Sequence, residues 1–195
     1  MDRPFLIGET IYLRPFENKY IEEGYGHLIN NRNVIKYLPS SWFPKPDEEL
    51  EQYIESSRKD PNTIFFAVTD KETNNYIGNA KIVIDWISRR AKYSLVLSDQ
   101  VQGKGYGTDL LRLLIVYVFE ILNLRILETF VNVTNNASIK SNKKVGMKEV
   151  VLIKKYEYIG GDYQDIILFI LRKSDYADIR NEDSFKTILE LNSTV

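Results

Sequence analysis

The sequence predicts an α/β fold of the α+β kind: a single domain on a mixed, mostly antiparallel seven-stranded sheet flanked by helices. Three observations predict it. Strand-like and helix-like periods follow one another in the order strand, helices, three strands, helix, strand, helix, two strands. The three middle strands are joined by short turns, which favour antiparallel neighbours. The chain has 195 residues, 44% hydrophobic and 27% charged, the size and composition of one globular domain with a substantial core.

Residues 11–16 read as the first strand, with Arg14 and Pro15 near its end. Residues 19–30 and 31–38 are short helical stretches that break at Asn30-Asn31, and 40–46 form a loop carrying Trp42 and Phe43. Pro46-Asp47-Glu48 starts another helix, running to about residue 57. From Thr63 the period is that of a sheet: strands 63–69, 76–86 and 91–98, with turns at 70–75 and 88–90. A long helix, 108–122, places Leu111, Leu114, Ile115, Val118 and Leu122 on one face and Asp109, Arg112, Glu120 and Asn123 broadly opposite. A strand at 125–133 follows, then a helix at 137–145 stopped by Gly146. Two strands, 149–158 and 164–172, join at Gly160-Gly161. The domain is expected to span residues 1–176, leaving 177–195 as a tail that forms a short peripheral helix or is partly disordered.

Composition excludes several functions. With 26 basic and 27 acidic residues there is no global field to attract nucleic acid or an anionic membrane. No cysteine means no disulfide, thiolate metal site or cysteine nucleophile. The single histidine, His27, argues against a zinc site or a histidine-based triad, so no metal is expected. The N-terminus lacks the apolar run of a signal peptide, and no segment reaches the roughly 18 apolar residues of a membrane span, so a cytoplasmic location is expected.

The stretch from Asp99 to Leu122 organises the rest. Gly103, Gly105 and Gly107 stand at every second position between a strand and a helix. Such a loop leaves main-chain N–H groups free to converge on an anion, with the helix dipole behind them and no side chain in the way. Two readings are open at this point, a phosphate cradle and a tight turn before a buried helix. A Walker loop is excluded because no lysine follows the last glycine, and the G-x-G-x-G spacing is not a dinucleotide fingerprint.

Gln102-Gly103-Lys104-Gly105-Tyr106-Gly107 resembles the acetyl-coenzyme A signature of the GCN5-related N-acetyltransferases (GNAT), Arg/Gln-x-x-Gly-x-Gly/Ala. A second landmark agrees: Asn135-x-x-Ser138 opens the short helix, and Lys144-Val145-Gly146-Met147 stands where the family has Lys-x-Gly-Phe. Ile11-Tyr12-Leu13-Arg14-Pro15 and Tyr163-x-Asp165 are similar to the subgroup of ribosomal-protein-alanine and spermidine acetyltransferases. The resemblance covers about residues 11–174 and implies a sheet splayed between the strands at 91–98 and 125–133, with acetyl-CoA as cosubstrate. The pantetheine arm would lie in that splay, taking main-chain groups of Leu95, Val96 and Leu97 as well as Asn135. The amides from Gly103 through Lys104, Gly105, Tyr106 and Gly107 to Thr108 would hold the pyrophosphate. Gln102 would fix the loop, and Lys104 would either add a charge at the nucleotide end or stay solvated.

The implied reaction is direct attack of an amine on the thioester in a ternary complex, without a covalent enzyme intermediate. Asn135 is expected to contact the arm or a relaying water, or else simply to cap the helix. Ser138 is expected to hydrogen-bond or protonate the sulfur, because the family's tyrosine acid is replaced here by Asn142. The family's glutamate position holds Lys92, which leaves Asp85 as the expected base; ordinary exposure at a strand end competes with that role. Trp42, Trp86, Tyr93 and Tyr163 are the acceptor-side candidates, each with packing as the alternative.

The expected acceptor is a protein or peptide α-amine, with an amino sugar or a polyamine as alternatives. A non-catalytic acetyl-CoA-binding module is the competing class, because both common catalytic residues are replaced. No nucleic-acid or membrane partner is expected, and the resemblance allows a homodimer.

Overall fold

The computed structural model describes residues 3–38 and 43–193. Trp42 therefore lies outside the described residues. The strands are β1 (Leu6–Ile7), β2 (Ile11–Pro15), β3 (Thr63–Asp70), β4 (Tyr76–Asp85), β5 (Arg90–Leu97), β6 (Ile126–Asn132), β7 (Lys148–Ile159) and β8 (Asp162–Arg172). The helices are α1 (Gly26–Asn30), α2 (Arg32–Ile35), α3 (Asp47–Lys59), α4 (Tyr106–Val116), α5 (Asn136–Lys144), α6 (Lys173–Ile179) and α7 (Asp183–Leu191). One eight-stranded sheet runs in the order β1-β2-β3-β4-β5-β6-β8-β7. Every pair is antiparallel except β5–β6, which is parallel and has α4 in its crossover. The strand absent from the sequence reading is β1, only two residues long and too short to show a period.

Alternation in β3 explains the two layers. Phe66 and Val68 point to one face and join the main core, while Phe65 and Ala67 point to the other. On that second face Phe65 stacks on Phe16 at 4.3 Å, and Leu50 and Ile54 of α3 close over the pair. A wide helical turn, Ile21–Tyr25, leads into α1 and is broken at Gly24, where φ is +140°.

The long helix is not amphipathic in the way its sequence suggested. Leu110, Leu113 and Val116 are buried along with Leu111, Leu114 and Ile115. Both sides of α4 are covered: the sheet packs on one, and the β1–β2 turn and α7 on the other. Asp109 is buried as well, accepting the N–H groups of Glu9 (3.1 Å) and Thr10 (2.7 Å). Gly8 makes this approach possible, since a Cβ there would lie 2.7 Å from Asp109 Oδ2.

The short helix expected after Tyr176 is α7, at Asp183–Leu191, and one face of it is buried in the core. Phe185 and Ile188 of α7 are fully buried in the main cluster, and Phe185 meets the Tyr176 ring edge-on at 5.6 Å. Asn192 then exchanges two hydrogen bonds with Ile7, at 2.9 and 2.8 Å, acting as a neighbour for the edge of β1.

Candidate active site

The site begins where two strands part. β5 and β6 pair only at Arg90↔Ile126, Ala91↔Leu127 and Lys92↔Glu128. Beyond these, β5 stays with β4 as far as Gly78↔Leu97, and β6 stays with β8 as far as Asn132↔Ile166. The last link across the gap is the Thr129 hydroxyl, donated to the Tyr93 carbonyl at 3.1 Å. Main-chain groups alternate in direction along a strand, so Leu95 and Leu97, like Tyr93, turn theirs to the open edge. Val96 turns the other way: its carbonyl lies against Gly78 of β4, where an added Cβ would come within 2.3 Å of it. Of the three residues expected to offer main-chain groups, Leu95 and Leu97 are thus directed into the splay and Val96 is not. A main-chain donor left without a partner costs about 1–3 kcal/mol, so an open edge of this kind favours a ligand that supplies amide partners.

The glycine loop stands at the end of the same strand. A single 3-10 turn, Asp99–Val101, is capped by Ser98, and Gln102 follows it, exposed. Gly103 (φ +76°) and Gly105 (φ +91°) both occupy the left-handed region, and a Cβ at either would meet nothing within 4 Å. The carbonyl of Gly105 accepts from Thr108 and Asp109, which starts α4 and leaves the N–H groups of Tyr106 and Gly107 outside the helix ladder. Gly107 lies between the two sides of the splay, its Cβ position 3.8 Å from Leu97 and 3.9 Å from Ser141 of α5. Lys104 and Lys144 line a concavity of about 140 Å³ with Gly105 and Thr108, where Glu9 and Asp109 also stand and Arg112 is paired with Glu9 at 3.3 Å. Among the described residues, Lys104 and Lys144 are thus the cations without an ion pair here beside the α4 N-terminus, whose dipole suits phosphate.

Across the splay, the side chain of Asn135 caps α5 by accepting the Ser138 N–H at 3.2 Å. The cap uses Oδ1 and leaves the amide NH₂ without a hydrogen bond among the described residues, so capping and ligand contact are compatible. Asn142, at the family's tyrosine position, is 1% exposed. Its Oδ1 accepts the Tyr93 hydroxyl, and its Nδ2 donates to the carbonyl of Ser138 (2.8 Å) and to its Oγ (3.3 Å). Tyr93 is therefore 3% exposed and engaged inward, not on an acceptor-facing surface. Burial pushes its phenol far above the ordinary tyrosine value, so it is a hydrogen-bond donor and never a phenolate near neutrality.

The remaining candidates are scattered. Asp85 pairs in register with Arg90 at the closed end of β4–β5, about 16 Å along the strand from Leu95 at 3.3 Å per residue. The Ser88 N–H (2.9 Å) holds its carboxyl below the usual range, with Arg90 adding to the effect, which makes it a weaker base. In this structure Asp85 bonds the turn at Ser88 and the Arg90 side chain, away from the open end of the splay. Trp86 is exposed at that same closed end. Tyr163 is exposed at the tip of the β7–β8 hairpin, edge-on to Tyr158 at 5.1 Å.

Two features were not read from the sequence. Tyr37, just after α2, donates its hydroxyl to the Thr134 carbonyl at 3.2 Å, so it reaches the start of α5. Glu157 has a carboxyl pushed above its ordinary value by burial, an effect that Lys92 partly offsets. Lys92 lies 4.5 Å over the Phe130 ring, and Phe130 stacks with Tyr156 at 6.2 Å. A register shift in β7 between Ile153 and Glu157, with Lys155 at φ +49°, carries Tyr156 and Glu157 toward Lys92. A broken alternation at Lys154-Lys155-Tyr156 is its only trace in the sequence. Among the described residues no cluster of three or more His, Cys, Asp or Glu is placed to hold a metal ion, and no helix is long and apolar enough to cross a membrane.

A family model of the acetyltransferase (GNAT) domain matches residues 10–148. Spermidine N(1)-acetyltransferase of Vibrio cholerae is 30% identical over 156 residues, covering 78% of this chain and 87% of the relative. The Escherichia coli K12 enzyme of the same name is 28% identical over 172 residues, covering 86% and 88%. A solved structure of spermidine N-acetyltransferase from Vibrio cholerae, in complex with CoA and spermine, is similar at a TM-score of 0.77 and 28% identity, over 86% of this chain and 98% of that one. On this evidence the chain belongs to the GNAT acetyltransferase family and is an acetyl-CoA-dependent N-acetyltransferase.

Proposed function

We propose that the enzyme acetylates a primary amine of a polyamine of the spermidine type. The observation that carries this reading is the similarity, over most of both chains, to a spermidine N-acetyltransferase solved with CoA and spermine. It displaces the protein or peptide α-amine favoured from the sequence alone, which rested on a subgroup resemblance common to both acceptors. A polycation also suits a surface where Glu128 and Glu157 flank Lys92.

Acetyl-CoA supplies the thioester, and the chain supplies its setting. The main-chain groups of Leu95 and Leu97 take the amides of the pantetheine arm, and an N–H of this edge polarises the thioester carbonyl. The N–H groups of Gly103, Gly105, Tyr106 and Gly107 receive the pyrophosphate, with Lys104 at its rim and Gln102 holding the loop; the Thr108 N–H, bonded to the Gly105 carbonyl, holds the turn instead. The free NH₂ of Asn135 donates to the arm, and the Ser138 hydroxyl donates a hydrogen bond to the sulfur, keeping its proton, as the C–S bond breaks and the charge falls on sulfur.

The test is release of CoA by the purified protein with acetyl-CoA and a panel of amines: spermidine, spermine, an N-terminal peptide and an amino sugar. Spermidine or spermine should give the highest kcat/KM. A peptide preferred by tenfold or more would return the acceptor to the α-amine class.

A further inference from the structure

Tyr93, Asn142 and Ser138 form a hydrogen-bonded chain from the buried face of β5 to the first turn of α5. Its polarity is fixed by elementary chemistry. The Ser138 carbonyl can only accept, so the Asn142 group facing it at 2.8 Å must be the NH₂. Oδ1 then faces Tyr93, whose phenol must donate. The same NH₂ reaches Ser138 Oγ at 3.3 Å, so that oxygen is already accepting. Its own hydrogen makes no bond to any described residue and is left for a group in the splay. An asparagine 1% exposed in a helix, tied to a tyrosine 3% exposed on β5, accordingly does more than join helix to strand.

We propose that Asn142, itself oriented by Tyr93, is a positioning residue that keeps the Ser138 hydroxyl as a donor to the sulfur. This rests on the function proposed above. As the acceptor nitrogen bonds the carbonyl carbon, the C–S bond breaks with its electron pair on sulfur. Ser138 stabilises that charge by a hydrogen bond, and the proton lost by the nitrogen passes to water. An inverted Asn142 would accept the Ser138 hydrogen instead and leave the sulfur without a partner.

Asn142→Asp removes the NH₂ while keeping the side chain's size: Tyr93 still donates, and the carboxylate, which loses its bond to the Ser138 carbonyl, captures the Ser138 hydroxyl. At saturating acetyl-CoA, kcat for spermidine should fall about 10- to 100-fold, the worth of one hydrogen bond to a charged atom. Coenzyme A affinity, a ground-state property, should stay within about threefold. In a Ser138→Ala background the same substitution should cost almost nothing more, because the group it acts through is gone. Tyr93→Phe, measured in both backgrounds, should show a smaller loss with the same dependence on Ser138, and it decides the matter if Asn142→Asp does not fold. Equal losses with and without Ser138 would overturn the inference and make the chain purely structural. Wild-type protein inactive toward every amine would instead overturn the functional reading, and the inference with it.

Discussion

Tyr106, in the middle of the glycine loop, donates its hydroxyl to the carboxylate of Asp70 at the end of β3. Asp70 also accepts the N–H groups of Glu72 (3.0 Å) and Thr73 (2.7 Å), so the phosphate-facing loop is tied to a hairpin two strands away. The Tyr106 hydrogen bond is the main reason that the Asp70 carboxyl lies below the usual range, and the same bond raises the phenol of Tyr106. Because the folded carboxyl pKa is depressed, its contribution to stability is present above the unfolded value of about 3.9 and is lost as pH falls through the folded value. Tyr106→Phe should raise KM for acetyl-CoA with little change in kcat. Asp70→Asn should melt below wild type from pH 5 to 8, and the gap should narrow at lower pH. A gap constant down to pH 3 would deny this bond its role.

Gly105 and Gly107 should respond differently to one methyl group. Alanine at Gly105 would have to hold φ near +91°, a conformation that costs an L-residue about 1–2 kcal/mol. If coenzyme A binding must restore that backbone, its dissociation constant should rise about 5- to 30-fold. At Gly107 the new Cβ meets only ordinary contacts at 3.8 and 3.9 Å, and φ is not left-handed, so affinity should change less than about twofold. Calorimetric titration of both variants checks the contrast; equal effects would mean that the loop is not held by its backbone.

Glu157 should exchange stability for activity. Its folded carboxyl pKa is raised by burial, so its contribution to stability is fully present below the unfolded value of about 4.3 and declines as pH rises through the folded one. Glu157→Gln should therefore melt above wild type at pH 7 and match it near pH 4. If the carboxylate also helps to attract a cationic acceptor, kcat/KM for spermidine should fall several-fold in the same variant. Unchanged melting at both pH values would show that the carboxylate is freely solvated.

The glycine loop, the strand order from β2 to β8 and the cap at Asn135 were legible because each is local: spacing, period and side-chain chemistry within a few residues define them. What was not legible depends on distant partners. The helix at 183–191 is legible, but its burial is not, because Phe185 and Ile188 carry no local signal that α4 lies beneath them. Strand adjacency brings Asp85 beside β5, and the pairing Asp85↔Arg90 puts it at the closed end, a matter of register rather than of neighbourhood. Tyr93 was placed on the acceptor side because its alternation within β5 leaves open which layer covers that face. Asn142 was visible as a departure from the family, but its amide orientation requires Tyr93 and Ser138 at known distances.

The central claim is that coenzyme A lies along the open edge of β5. Backbone amide spectra during coenzyme A titration test it most directly. The N–H signals of Leu95, Leu97 and residues 103–107 should shift strongly and gain protection from exchange, while those of Ser94 and Val96, bonded to β4, should shift less. Saturable binding that leaves Leu95 and Leu97 unchanged would contradict it.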